Sequence, residues 1–443
     1  MSSAPDDEKP ADERPALLKL ALIALAVGAM TGVAGAVFRI ALERSDRLRD
    51  TVIGWAHGHA LGGFVVVVLA CALAPAVAAW LVRRFSPYAS GSGIPHVEAV
   101  LDGEIPPAPF GLVPVKFFGG ILAIGSGLAL GREGPSVQIG AGIAYFTSRM
   151  FRLDWPDCRV LLAAGAGAGL ATAFNSPIAG AVFVLEELVR RFEHRIAIAA
   201  LAASFTAIAV GRLFLGDTPD FQVDALNATG AGARALFFVL GGMAGLLAVA
   251  YNRTLLGMLA AAERFPAVPV ELRAALIGAV VGALAWFVPE LVGGGDNITQ
   301  SALTGHDALW FVVVAFLIRF VLGPLSYASA TPGGLFAPLL VIGAQSGLLF
   351  GVACQFLFPD FGVPREAYAL VGMAAFFAGV VRAPVTGIVL VTEMTGNVTM
   401  LLPMLGACFV AMLVPTLLRD APIYDSLREL TLRKEEDKQQ IVQ

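Results

Sequence analysis

The chain reads as an all-α integral membrane protein built from a duplicated unit, and three observations lead there. Of its 443 residues 57% are hydrophobic and 14% charged, with a mean hydropathy of +0.77, against about 25% charged in soluble domains. Uncharged runs at Leu161 to Leu185, Val321 to Pro359 and Met394 to Leu418 exceed the roughly 20 residues that a spanning helix needs. They are continuous rather than alternating, which argues against a β-barrel.

The third observation is that breaks recur in matched pairs. Pro135 is followed by Ile139-Gly140, and Pro338 by Ile342-Gly343 at the same offsets. Gly165, Pro177, Gly180 and Glu186 are matched in spacing by Gly372, Pro384, Gly387 and Glu393. Repeated, Gly/Pro-interrupted apolar segments mark a transporter-type fold with its site at the repeat interface. Spacing alone leaves open whether the repeat is inverted. A net charge of −4 without a Lys/Arg block gives no support to a nucleic-acid partner.

In chain order, residues 1–15 form a polar, acidic tail without the basic start of a signal peptide. Ala16 to Leu42 and Leu61 to Val82 are expected to span the membrane. Arg83 and Arg84 place the end of the second span in the cytoplasm by the positive-inside rule, although charges at Arg39 to Arg49 compete. Gly91-Ser92-Gly93-Ile94-Pro95 and Lys116 follow. Breaks then fall at Asn175-Ser176-Pro177, Thr331-Pro332-Gly333-Gly334 and Arg382-Ala383-Pro384. Irregular backbone at membrane depth is tolerated only where protein buries it or it lines a cavity, so these breaks imply an internal site. The expected division is a first repeat at 16–215, a second at 216–424 and a cytoplasmic tail at 425–443, too short for a soluble regulatory domain.

The chain is organised around Gly131-Arg132-Glu133-Gly134-Pro135, set between two apolar runs. An acidic residue at mid-membrane costs roughly 2.5–3.5 kcal/mol, so it is a functional hypothesis by default. Glycines let backbone amides approach a ligand, and proline just inside a helix start is inexpensive. The stretch is therefore read as an anion-binding helix N-terminus with an acid at its mouth, the alternative being a solvated membrane-edge loop. Cys71, Cys158, Cys354 and Cys408 are scattered singly and read as buried thiols. His57, His59, His194 and His306 show no ligand spacing, so neither metal nor cofactor is expected.

Gly-Ser-Gly-Ile-Pro at 91–95, Gly-Arg-Glu-Gly-Pro at 131–135, Gly-Leu-Phe-Ala-Pro at 334–338 and the late Tyr424 resemble, in order and spacing, the signature of the CLC chloride channel and transporter family. The resemblance runs from about Leu18 to Leu432 and is strongest to bacterial proton/chloride exchangers. It implies tilted, broken helices in two inverted repeats, assembled as a homodimer in the bacterial inner membrane with one pathway per subunit.

The resemblance also implies roles. Ser92 and Tyr424 hydroxyls with Leu335 and Phe336 amides would form the central chloride site, and Arg132, Glu133 and Gly134 amides an outer one. The filter would comprise Gly91, Ser92, Gly93, Ile94, Pro95, Gly131, Arg132, Glu133, Gly134, Pro135, Gly334, Leu335, Phe336, Ala337 and Pro338. The chemistry is sound: a halide offers no directional groups, so N–H and O–H donors and helix ends of about +0.5 charge replace its hydration while still permitting release. Glu133 would occupy an anion site when ionised and leave it when protonated. Glu187 matches the internal proton acid, with Glu98 and Lys116 as neighbours tuning it. Glu186, followed by Arg190 and Arg191, is read as a solvated helix end. His96 stands where relatives often carry an acid, and no role is assigned to it.

Chloride/proton antiport, electrogenic because the two charge movements add, is the leading reading. A passive chloride channel is the alternative, disfavoured by the presence of both Glu133 and Glu187. An intramembrane enzyme using paired acids lacks any supporting nucleophile or HExxH motif. Ser92 favours chloride, since nitrate-selective relatives resemble this motif with proline there.

Overall fold

The computed structural model describes residues 14–223, 226, 231–305 and 307–442; the polar tail at 1–13 and His306 lie outside them. The described residues form seventeen α-helices and no strands beyond two isolated bridges. The first half comprises α1 (Arg14–His57), α2 (Ala60–Phe85), α3 (Ile94–Leu101), α4 (Leu112–Gly125), α5 (Glu133–Met150), α6 (Trp155–Phe174), α7 (Pro177–Phe183) and α8 (His194–Leu215). The second comprises α9 (Ala231–Glu263), α10 (Val270–Phe287), α11 (Asp296–Thr304), α12 (Leu309–Tyr327), α13 (Phe336–Leu357), α14 (Arg365–Val381), α15 (Pro384–Thr395), α16 (Leu401–Leu417) and α17 (Ile423–Val442). Among the described residues eight helices are long and apolar enough to cross a membrane, so the chain is a multi-pass membrane protein.

The first span is longer than expected. Rather than stopping near Leu42, α1 continues through the charged stretch to His57. Arg39 pairs with Glu43 one turn on, and Arg49 with Asp46 one turn back. Such pairs at helical spacing support a helix where charge alone suggested its end. The long uncharged runs are likewise not single helices. Leu161 to Leu185 is cut at Asn175, which ends α6 in the left-handed conformation (φ 50°) two residues before Pro177 opens α7.

The matched breaks fall on matched helices: α5 with α13, α6 with α14, α7 with α15. Asn175 and Arg382 end α6 and α14 in the same left-handed conformation. Gly140 of α5 packs on Gly165 of α6 so closely that a Cβ would lie 2.1 Å from the Gly165 carbonyl oxygen, and Gly343 of α13 meets Gly372 of α14 in the same way at 2.6 Å. Small residues at such crossings let backbones touch, which supplies the dispersion that membrane helices rely on. These central helices are buried nearly throughout, whereas α2, α8 and α10 expose apolar flanks. All four cysteines are buried free thiols.

Residues 425–436 continue the helix that opens at Ile423, so Tyr424 sits in the first turn of α17. Arg428 ties that helix to the end of α3 through Asp102 and Glu104.

Candidate functional site

Three helices begin at one buried point, α3 at Ile94, α5 at Glu133 and α13 at Phe336. Their preceding loops are stitched together across the two halves. Gly91 N–H donates to the Thr331 carbonyl at 3.1 Å and Gly333 N–H to the Gly91 carbonyl at 3.0 Å. Gly131 and Gly334 exchange two such bonds at 2.9 and 2.7 Å. Glycine is required here for room: a Cβ on Gly134 would lie 2.6 Å from Ser92 Oγ, and one on Gly334 2.2 Å from a Glu133 carboxylate oxygen. Each N-terminus directs unsatisfied N–H groups and a partial positive charge of about half a unit towards the point where they meet.

Glu133 is fully buried, and its Oε1 accepts a 2.6 Å hydrogen bond from the Phe336 N–H. The amides of Glu133 and Ala337 also face this carboxylate. Its Oε2 completes no hydrogen bond with any of the described residues. The carboxylate therefore stands where an anion would lie on the start of α13.

Ser92 and Tyr424 are both fully buried, and neither hydroxyl completes a hydrogen bond with any of the described residues. The two hydroxyls approach one another without reaching bonding geometry, and Glu133 acts electrostatically on the phenol. Buried hydroxyls are normally satisfied. Two orphaned donors converging on one helix-end cluster suit an unhydrated anion. Phe336 packs edge-on against Phe377 and tilted against Tyr424, walling the spot with apolar surface. Leu335 is fully buried and caps the start of α13, with Ala337 and Pro338 in its first turn.

Arg132 turns its guanidinium away from the anion position. It donates to the Ala173 carbonyl at 2.8 Å and pairs with Asp296 and Asp220 at 3.2 and 3.4 Å, while Asp220 also pairs with Arg39 at 2.8 Å. A full positive charge beside the site is thus neutralised. Gly131, Arg132 and Ala337 line a cavity of about 740 Å³ that opens past Asp46, Arg49 and Asp296. A second cavity of about 210 Å³ touches Gly91, Gly93 and Pro95 instead and is bordered by Tyr88, His96, Arg273 and α17.

Of the groups expected around Glu187, Glu98 faces it, whereas Glu186 and Lys116 are engaged elsewhere. Glu187 lies in a π-helical turn, Val184–Leu188, that extends α7, and its side chain is 4% exposed. Glu98 is 1% exposed on α3, and the charges acting on it include Glu187, Arg190, Asp425 and Arg428. Lys116 is fully buried and donates to the Ala89 and Gly91 carbonyls at 3.1 and 2.7 Å, bracing the loop before Ser92. It does not snorkel, because those carbonyls satisfy its ammonium inside the protein.

Glu186 is not a solvated helix end. Its carboxylate accepts from the Val385 and Thr386 N–H groups at 3.0 and 2.6 Å and from the Thr386 hydroxyl at 2.7 Å, capping the start of α15. Its repeat mate Glu393 accepts from Ile178 and Ala179 at 3.1 and 2.8 Å, capping α7 in return. The charged neighbours suggested solvation, but orphan amides at a helix start are the better partner for a carboxylate. Tyr327 joins the site as well: its hydroxyl oxygen accepts from the Ser92 N–H at 3.2 Å. Nothing in the sequence around Tyr327 signals this, because α12 brings it to the loop from far along the chain.

Interrupted helices from two structural repeats, meeting at a buried cluster of helix N-termini with an acid inside it, define a membrane ion-transport protein. The chain belongs to the voltage gated chloride channel family, the CLC family, whose pattern it matches over residues 74–416. It is 36% identical over 428 residues to the H(+)/Cl(-) exchange transporter ClcA of Vibrio parahaemolyticus, covering 94% of this chain and 90% of that one. A ClcA of Salmonella arizonae is 35% identical over 421 residues, covering 93% and 89%. The crystal structure of a slow cyanobacterial Cl-/H+ antiporter superposes with a TM-score of 0.91 at 33% identity, covering 94% of this chain and 99% of that one. A eukaryotic CLC transporter at 23% identity and a TM-score of 0.81 shares the fold. The architecture is accordingly the CLC type, two inverted repeats of tilted, broken helices.

Proposed function

We propose that this chain is an electrogenic secondary antiporter that exchanges chloride for protons, acting as a transporter and not as an enzyme. The observation that carries the reading is the Glu133 carboxylate bound by the Phe336 N–H at the start of α13. An ionised carboxylate and a chloride ion ask for the same N–H groups and helix-end charge. Protonation removes the charge that holds Glu133 there, so a proton arriving and a chloride ion binding become alternatives at one position. Ser92, Tyr424, Leu335 and Phe336 would hold the central chloride, with the Arg132, Glu133 and Gly134 amides serving an outer position. Glu187, buried and separate from the anion site, would relay protons to the inner solution, with Glu98 acting on it. The relatives named as H(+)/Cl(-) exchangers support the same substrates.

The two repeats are taken to run over 16–215 and 216–424, meeting at the site. By resemblance the chain works as a homodimer in the bacterial inner membrane, with residues 425–443 on the cytoplasmic side.

Chloride leaving as a proton enters moves charge in one sense, so the two currents add at every stoichiometry. Each charge crossing the full field is worth about 2.3 kcal/mol per 100 mV. The test is proteoliposomes with a chloride gradient and no pH gradient. Uphill proton movement is expected, and it should accelerate when valinomycin and potassium shunt the opposing potential. Proton flux that vanishes under the shunt would be passive leak, and the chain would then be a chloride channel.

A further inference from the structure

Glu187 has company that the antiport scheme does not use. Arg190, at the end of the π-helical turn, is held in the left-handed conformation at φ 55°. For a residue other than glycine this conformation is strained, and such strain persists only where surrounding contacts enforce it. Here the contacts are specific. Arg190 Nε donates to the Glu187 carbonyl at 3.2 Å, and its Nη2 lies 3.6 Å from Glu187 Oε1 while bonding Asp425 Oδ1. Asp425 immediately follows Tyr424 in the first turn of α17.

The charges facing Glu187 are unbalanced without that guanidinium. Glu186 is its neighbour in the turn, Glu98 faces it from α3 and Asp425 from α17. The other cations nearby are engaged elsewhere: Arg159 of α6 and Arg191 with Glu193, Arg195 of α8 with Asp157, Arg382 at the end of α14 with the Thr416 hydroxyl and the Asp420 carbonyl, and Arg428 of α17 with Asp102 and Glu104. Among the described residues, Arg190 is the cation that acts on Glu187 against three acids.

We infer that Arg190 is a positioning residue for proton transfer at Glu187, its guanidinium shared between Glu187 and Asp425 so that the inner acid and the helix carrying Tyr424 are held in one ion-pair network. Two consequences follow from the shared charge. Removing Arg190 leaves Glu187 among acids and favours its protonated form. Removing the Asp425 charge gives Arg190 wholly to Glu187 and favours the ionised form. Arg190 and Asp425 are 42% and 32% exposed, so solvent screens the effect. An opposite charge at this range shifts a carboxyl by 1–3 units when well shielded; about one pH unit or less is expected here.

The inference rests on the antiport reading, and the experiment separates the two. Full-length wild type, Arg190→Gln, Arg190→Lys and Asp425→Asn are reconstituted, and chloride-driven proton uptake and chloride efflux are recorded while the pH on the Glu187 side is varied. Arg190→Gln should move the midpoint of proton turnover to higher pH by about half to one unit, Asp425→Asn should move it lower, and Arg190→Lys should restore most of the wild-type profile. Half-saturating chloride should stay within about twofold in Arg190→Gln, because Arg428 still ties α17 to Asp102 and Glu104; a general collapse of the fold would not allow this. Profiles that superimpose on wild type overturn the inference. If Arg190→Gln fails to reconstitute, Asp425→Asn decides, and an unmoved midpoint there overturns it equally. A wild type that shows no uphill proton movement defeats the antiport reading instead.

Discussion

Aligning Pro135 with Pro338 sets Glu133 opposite Phe336 and Gly131 opposite Gly334, so the two repeats present the same backbone with opposite chemistry. In the first repeat the residue opening the helix is a buried carboxylate; in the second it is an apolar side chain whose amide binds that carboxylate at 2.6 Å. Further along, aligning Glu186 with Glu393 sets Glu187 opposite Met394. The capping glutamates are alike in both halves, and the two acids assigned to proton movement occur only in the first. Duplication thus supplies a symmetric frame of helix ends suited to an anion, and the departure from symmetry supplies the acid. An exchanger needs both, because a symmetric pair of apolar helix starts would bind chloride and carry no proton.

The sharpest way to break this comparison is to make the first repeat resemble the second. Glu133→Ala should abolish chloride-driven proton uptake while chloride flux continues, read in the same proteoliposomes by pH and chloride electrodes. Intact proton pumping would remove Glu133 from the mechanism. Glu187→Gln should likewise lower coupled proton flux at least tenfold and leave chloride moving. If Glu186→Gln did so instead, the proton relay would belong to the capping residue.

The symmetric part of the frame makes a smaller prediction. Glu186→Ala removes three donors' acceptor at α15, and Glu393→Ala removes two at α7. Losing a helix cap costs about 0.5–2 kcal/mol, so both variants should unfold at lower temperature in detergent, Glu186→Ala by more. Equal melting to wild type would mean that the caps contribute nothing beyond what water supplies. The smallest effect concerns selectivity. Ser92→Pro removes the hydroxyl donor together with the N–H that bonds the Tyr327 hydroxyl, and should raise nitrate transport relative to chloride several-fold, on the scale of one to two hydrogen bonds of about 0.5–1.5 kcal/mol each. An unchanged anion ratio would exclude Ser92 from the site.

Composition, the duplicated breaks and the position of Glu133 in an apolar setting were all legible in the sequence. Each is local: apolar length, Gly/Pro interruption and an isolated charge have the same physical meaning wherever the chain folds. Repeat spacing even paired Glu186 with Glu393 before their roles were visible. The length of α1 was not legible, because a charged stretch reads as a membrane edge unless the pairing of its charges along the helix is known. Glu186 and Lys116 show the same limit more strongly. Whether a charge meets water or a buried amide depends on groups that the fold delivers from elsewhere: Val385 and Thr386 for Glu186, the Ala89 and Gly91 carbonyls for Lys116.

Hydropathy and backbone chemistry are enough to read, from residue order alone, a membrane protein of repeated, broken helices with an acid among them. The folded arrangement sets which helix ends meet, puts the Glu133 carboxylate on the Phe336 amide, and turns Arg190 to both Glu187 and Asp425. The Phe336–Glu133 and Arg190–Asp425 contacts join residues more than 200 positions apart, and a hydrogen bond or ion pair is set by distance and direction in space, which residue order does not encode one contact at a time.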